Sequence, residues 1–184
     1  MRADEGDGRK VTGLAVVYGQ TADVGPFMER IESGALRSVL TSGRNMRLLF
    51  EHDRRGLLAS TEAQSLRVFD SPEGLRFEGT IAETTTGDDV LVLIRGKELR
   101  GCSFAFRVAD DGEVFTRENG KLTRIISEFS EVPELTLTSF PVYDQTSIAQ
   151  RSISPEAIAQ AERIAAMPTI EQRRRQLRAA QAAA

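Results

Sequence analysis

"LRVFDSPEGLRFEGTIA", residues 66–82, holds two runs of alternating apolar and charged residues separated by Asp-Ser-Pro-Glu-Gly. Alternation with period two puts Leu66 and Val68, and then Leu75, Phe77 and Ile81, on one face each, which is the pattern of half-buried strands. The intervening proline restricts φ and the glycine admits positive φ, as a tight turn requires. The segment therefore reads as a β-hairpin, and it sets an antiparallel framework for what flanks it.

Working outward, residues 11–150 repeat the same texture, with short apolar runs punctuated by Gly, Asp, Pro and Ser. This predicts many short strands with one or two inserted helices. "VTGLAVVYG" (residues 11–19) is a strand closed by Gly19, and "MRLLFEH" (residues 46–52) is another. "ERIESGALRSVL" (residues 29–40) spaces Ile31, Leu36 and Leu40 for a short helix, weakened by Gly34. "TTGDDVLVLIRGKEL" (residues 85–99) contains an apolar run that would also suit a buried strand. Helix is favoured, because Asp88 and Asp89 suit a helix N-terminus and Gly96 can end the run.

The ends differ in texture. Residues 1–10 are polar with nothing to bury and are expected to be flexible. Residues 152–184 form a tail rich in Ala, Gln, Glu and Arg, which is helix chemistry. Ser154 can cap it, Pro155 suits the first helical position and Glu156 favours the positive end of the dipole. Pro168 should interrupt it, and Thr169 can begin a second short helix.

Composition narrows the function. A chain of 184 residues, 40% hydrophobic, can bury one core. A net charge of −3 argues against a protein that coats nucleic acid. One cysteine excludes an internal disulfide, and one cysteine with one histidine makes structural zinc improbable. No apolar run approaches a membrane span and the first ten residues lack an apolar signal core, so a soluble, cytosolic protein is expected.

Two strands carry the chemistry. In "GCSFAFRV" (residues 101–108), Cys102, Phe104, Phe106 and Val108 share the face expected to meet the core. Ser103, Ala105 and Arg107 share the other and are expected to face a surface or cleft. In "PELTLTSF" (residues 133–140), Leu135 and Leu137 point inward and Glu134, Thr136 and Thr138 outward. Within "LLFEHDRRG" (residues 48–56) lies His52, the sole histidine. If the two strands share a sheet near His52, a nucleophile, a base and an orienting acid can converge.

The ordered segments "GLAVVY", "ESGAL", "FEHDRRG", "EGLRFEGTI", "IRGKELRGCSFAFRV" and "ELTLTSFPVYDQTSI" resemble the prohead (capsid maturation) proteases of tailed phages, the HK97-type family, over residues 11–151. That family is similar in fold to the herpesvirus assemblins. The resemblance implies a mainly β, α+β domain built on a closed, mostly antiparallel β-barrel with flanking helices, and a serine endopeptidase activity. His52 matches the family's histidine after an apolar strand, and Ser103 its serine in a small-Ser-aromatic strand. Glu134 matches the acid that opens an E-x-S-L-V-x-x-P-A-like motif. Thr136 and Val142 stand where Ser and Ala are usual. The implied partners are the major capsid protein and the scaffolding protein, with self-association, inside the prohead in the cytoplasm of the infected host. No cofactor is implied, and neither a membrane nor specific nucleic acid is a partner.

Each residue has a plainer reading. His52 can be a hydrogen-bonded residue at a strand end, Ser103 an ordinary polar strand residue, and Glu134 a solvated one. Glu51, Asp53, Glu128 and Glu131 are alternative acids, although Glu51 and Asp53 adjoin His52 in the chain. Cys102 is the rival nucleophile, opposed by its place on the Phe face, where burial suppresses thiolate formation. Gly101, the amides near Ser103 and Arg107 are candidates for an oxyanion site. The arginines of "QRRRQLR" (residues 172–178) suit a solvated helix face. The same domain can instead be a non-catalytic capsid-assembly or scaffold-binding module, since fold does not fix function. A small-ligand barrel is weaker, for want of a phosphate loop or metal cluster.

Overall fold

The computed structural model describes residues 2–3, 8–141 and 155–168. The order is β1 (Arg2–Ala3), β2 (Lys10–Val17), β3 (Thr21–Asp23), β4 (Met28–Ile31), α1 (Arg37–Thr41), β5 (Arg47–Phe50), β6 (Asp53–Ser60), β7 (Leu66–Ser71), β8 (Gly74–Thr80), α2 (Thr85–Arg95), β9 (Gly101–Val108), β10 (Glu113–Glu118), β11 (Lys121–Ile126), β12 (Phe129–Thr138) and α3 (Pro155–Ala166). The protein is mainly β with few helices.

The hairpin at residues 66–82 forms as its alternation predicts. β7 pairs antiparallel with β8, with Leu66 opposite Gly79 and Ser71 opposite Gly74. Gly74 has φ +146°, and a Cβ there would lie 1.8 Å from the Val16 carbonyl oxygen, so only glycine lets the turn approach β2 this closely. α2 also forms where the helical reading placed it. The Thr84 hydroxyl caps it by accepting from the Gly87 amide at 3.0 Å, and Val90, Leu91 and Ile94 are buried. α3 begins at Pro155 and ends before Pro168, while the second helix expected from Thr169 lies outside the described residues.

Two expectations are corrected. Residues 29–40 are not one helix: Ile31 belongs to β4, and helix covers only Arg37–Thr41. Gly34 sits at φ +86°, outside the helical region, and separates the two. The strands also do not close into a barrel. Among the described residues they form three four-stranded sheets, ordered β1-β2-β8-β7, β10-β11-β4-β3 and β6-β5-β12-β9. Closure requires every strand to have hydrogen-bonded neighbours on both sides. Here β7, β6 and β9 end their ladders, and the sheets meet through side chains instead. The pairing is mixed, because β4 with β11 and β5 with β12 are parallel.

One apolar core joins the sheets, with Val11, Phe77, Leu58, Phe104, Phe129, Leu135 and Leu137 each at most 4% exposed. Phe104 and Phe106 stack at 5.1 Å and both meet Phe129 edge-on. A smaller cluster of Val24, Phe27 and Ala161 seats α3 against Phe115 and Leu122.

Between these clusters Arg124 is buried against two carboxylates. It pairs with Glu29 at 3.0 Å and with Glu113, and its guanidinium lies over the Phe27 and Phe106 rings. Burial pushes the Glu29 carboxyl up, and the charge and hydrogen bond of Arg124 offset this only in part. Arg124→Ala is therefore expected to cost about 3–5 kcal/mol of stability, because it leaves Glu29 buried without its cation. Urea unfolding measures it. A carboxyl raised in the folded state binds more protons there than in the unfolded chain, so the variant should lose stability as pH rises above the ordinary carboxylate range. A loss below about 1 kcal/mol would mean that water solvates the pair.

Candidate active site

The sheet β6-β5-β12-β9 brings together segments distant in sequence. β12 lies between parallel β5 and antiparallel β9, with Glu134 opposite Arg47 and Ala105, and Thr136 opposite Leu49 and Ser103. Ser103, Thr136 and Leu49 thus form a row across one face. Leu57, opposite Leu49, extends it and is 45% exposed. Glu134 lies two residues from Thr136 on that same face.

His52 reaches this face from the β5–β6 turn. Its Nδ1 is 2.6 Å from Glu134 Oε1, joining positions 82 residues apart. The His52 side chain is 35% exposed and that of Glu134 17%. Among the alternative acids, the described contacts lead elsewhere. Asp53 pairs with Arg55, Glu128 accepts from the Ser38 hydroxyl, Glu131 meets Arg44 and Arg107, and Glu51 is bound by Thr138 and Ser139. Of these carboxylates, Glu134 is the one bonded to the imidazole.

Ser103 departs from its expected exposure. The alternation along β9 holds, with Phe104 in the core, yet Ser103 is only 2% exposed. Its partner in the ladder, Thr136, is fully buried, and Thr138 is 2% exposed. The stretch of this face around Ser103 and Thr136 is thus buried, while Arg107 and Leu57 on the same face are exposed. Among the described residues, neither the Ser103 hydroxyl nor the Thr136 hydroxyl has a hydrogen-bond partner. A buried unpaired hydroxyl costs about 1–3 kcal/mol, so two side by side are unusual.

Cys102 points to the opposite side and packs against the core. Burial pushes its thiol up to about 12, leaving almost no thiolate at neutral pH. If Ser103 rather than Cys102 is the nucleophile, Cys102→Ala is expected to keep any cleavage activity within about threefold of the wild type. The folded protein should likewise resist alkylation at pH 8, as intact mass would show. Rapid alkylation or loss of cleavage in the variant would restore the cysteine as nucleophile.

The oxyanion candidates remain distinct in setting. Arg107 is 79% exposed and 3.4 Å from Glu131, so its guanidinium is engaged by that carboxylate. Gly101 is closely packed: a Cβ there would lie 2.6 Å from the Pro141 ring and 2.7 Å from the Thr138 carbonyl oxygen.

The turn that carries His52 escaped the sequence reading. β5 ends at Phe50, which pairs with Asp53, leaving Glu51 and His52 as a two-residue loop with φ +49° and +57°. Positive φ at both central positions is the type I′ pattern, for which Asn-Gly is preferred. Left-handed backbone costs an ordinary L residue about 1–2 kcal/mol. No local turn signal announces such a pair, and its compensating contacts lie 87 and 88 residues away at Thr138 and Ser139.

A search of curated proteins finds no match to this chain. The pattern of caudovirus prohead serine proteases matches residues 1–161, across all the strands and into α3, and the chain belongs to that family.

Proposed function

We propose that this chain is a procapsid maturation endopeptidase that cleaves the scaffolding protein, or the scaffolding segment of the major capsid protein, and also itself. Ser103 would be the nucleophile, His52 the general base and Glu134 the acid that orients it. The observation that carries this reading is the 2.6 Å bond between His52 Nδ1 and Glu134 Oε1 on the sheet face that bears Ser103.

Glu134 is opposite Ala105, so Ser103 is its diagonal neighbour. Such diagonals span about 7–8 Å between backbones, a gap that an imidazole held by Glu134 can bridge. With Nδ1–H donated to the carboxylate, Nε2 carries the lone pair and takes the Ser103 proton as Oγ attacks the scissile carbonyl. Collapse of the tetrahedral intermediate breaks the C–N bond, and Nε2–H passes its proton to the leaving amine. Water, deprotonated by the same nitrogen, then hydrolyses the acyl-enzyme and restores Ser103. Glu134 stays ionised and stabilises the imidazolium.

The 2% exposure of Ser103 supports a resting state in this conformation, because a peptide carbonyl reaches Oγ only once that side chain is uncovered. That suits a protease restrained until assembly, when crowding with its partners raises the effective concentration. The test is intact mass over time for wild type and Ser103→Ala, each assembled with its capsid and scaffold proteins. Cleavage by wild type alone supports the reading, and cleavage by both would assign it to another nucleophile. Cleavage by neither inside assembled proheads would favour a scaffold-binding module.

A further inference from the structure

We propose that Glu51 is a positioning residue: its carboxylate, clamped to the end of β12, fixes the left-handed turn that aims the His52 imidazole. This rests on the reading of His52 as general base. Three bonds hold the carboxylate. Thr138 Oγ1 donates to Oε2 at 2.7 Å, while the Ser139 amide and Oγ donate to Oε1 at 2.8 and 2.7 Å. The Glu51 amide donates to the Leu137 carbonyl at 3.0 Å. Burial pushes the Glu51 carboxyl up, but the bonds from Ser139 and Thr138 outweigh it and hold the group below its ordinary range.

Two features separate this clamp from a generic turn. First, it occupies a position where glycine or asparagine would satisfy the backbone without a clamp. Second, the strand that receives the clamp at Thr138 and Ser139 also carries Glu134. His52 is therefore tied to one strand from both sides, through its own ring to Glu134 and through its neighbour to the strand's end. A base held at both points keeps one ring orientation. Without the carboxylate the turn keeps only the amide bond to the Leu137 carbonyl, so the ring swings more freely, and misplacement of about 1 Å costs about 100-fold in rate.

Glycine distinguishes the two roles, because it relieves the left-handed strain while removing the clamp. Glu51→Gly and Glu51→Gln would be compared with wild type in the full chain, by cleavage rate in assembled proheads and by thermal unfolding. His52 is the sole histidine, so selective ¹⁵N labelling gives one pair of ring nitrogens that report tautomer and ring order directly. Glu51→Gly is expected to stay folded, to lose about 100-fold in rate and to show exchange-averaged ring signals; Glu51→Gln should lose about 10-fold. Wild-type rate and ring signals in Glu51→Gly would overturn the proposal.

If Glu51→Gly does not fold, Thr138→Val removes one of the three bonds without touching the turn, and unaltered ring signals there would count equally against the clamp. If wild type itself does not cleave, the endopeptidase reading falls. The ring signals of the same variants still decide whether Glu51 orders His52.

Discussion

Under the proposed roles, Ser103→Ala and His52→Ala should each slow cleavage of the precursor by about a million-fold, and the double variant should be no slower than either alone. The expectation follows from how the two groups share one step. The serine hydroxyl is a weak nucleophile at its own pKa, and the imidazole has no function in acyl transfer without a hydroxyl to deprotonate. Removing either therefore removes the same transition-state stabilisation, and removing both subtracts it only once. Quantitative mass spectrometry of precursor and product, in assembled particles over days, covers the required range. Stability gives the control. Ser103 is buried without a hydrogen-bond partner among the described residues, so Ser103→Ala deletes an unsatisfied hydroxyl and should leave unfolding free energy unchanged or higher. Two independent, additive losses would mean that His52 and Ser103 do not act on one proton.

The parts of this fold legible in the sequence were those fixed by local chemistry. The alternation of residues 66–82 and 101–108 depends on neighbours in the chain, and β7, β8 and β9 form accordingly. The ambiguous run at residues 85–99 resolved through its acidic N-terminus and Gly96, which caps α2. Where tertiary contacts decide, local patterns misled. Ile31 fits a helical spacing with Leu36 and Leu40, yet Met28–Ile31 finds β11 as a parallel partner, and a strand results. The closed barrel was implied by the family resemblance, and nothing local tests it, since alternation shows that a strand has two faces but not whether its edges find ladder partners.

The candidate site was legible to different depths. Period two placed Ser103 opposite Cys102 and Phe104 correctly, but could not show that Ser103 is itself buried. The union of His52 with Glu134 spans 82 residues and depends on the parallel register of β5 against β12, which no local spacing encodes. Those residues were found through their place in an ordered series of family-like segments. Glu51 lies in the same segment, too near His52 in the chain to reach its ring. It does not reach it; its carboxylate turns toward β12 instead.

Glu134→Gln should lower cleavage by about 10⁴-fold while leaving the fold intact. The loss comes from the proton at Nδ1. A carboxylate only accepts, so the imidazole facing it must place its hydrogen on Nδ1 and leave Nε2 free as base. A glutamine amide can present its NH₂ group to that nitrogen, which then accepts, and the hydrogen moves to Nε2 where it blocks proton transfer from Ser103. Even with its oxygen toward the ring, the neutral amide no longer stabilises the imidazolium. The variant keeps side-chain volume at a position 17% exposed, so its stability should stay within about 1 kcal/mol of wild type. The ring nitrogens of His52 read the tautomer, and particle cleavage reads the rate. Glu134→Asp separates geometry from charge: it preserves the carboxylate and the tautomer but withdraws it by one methylene, so an intermediate loss of about 100-fold is expected. Wild-type cleavage in Glu134→Gln would reduce the 2.6 Å contact to a structural hydrogen bond.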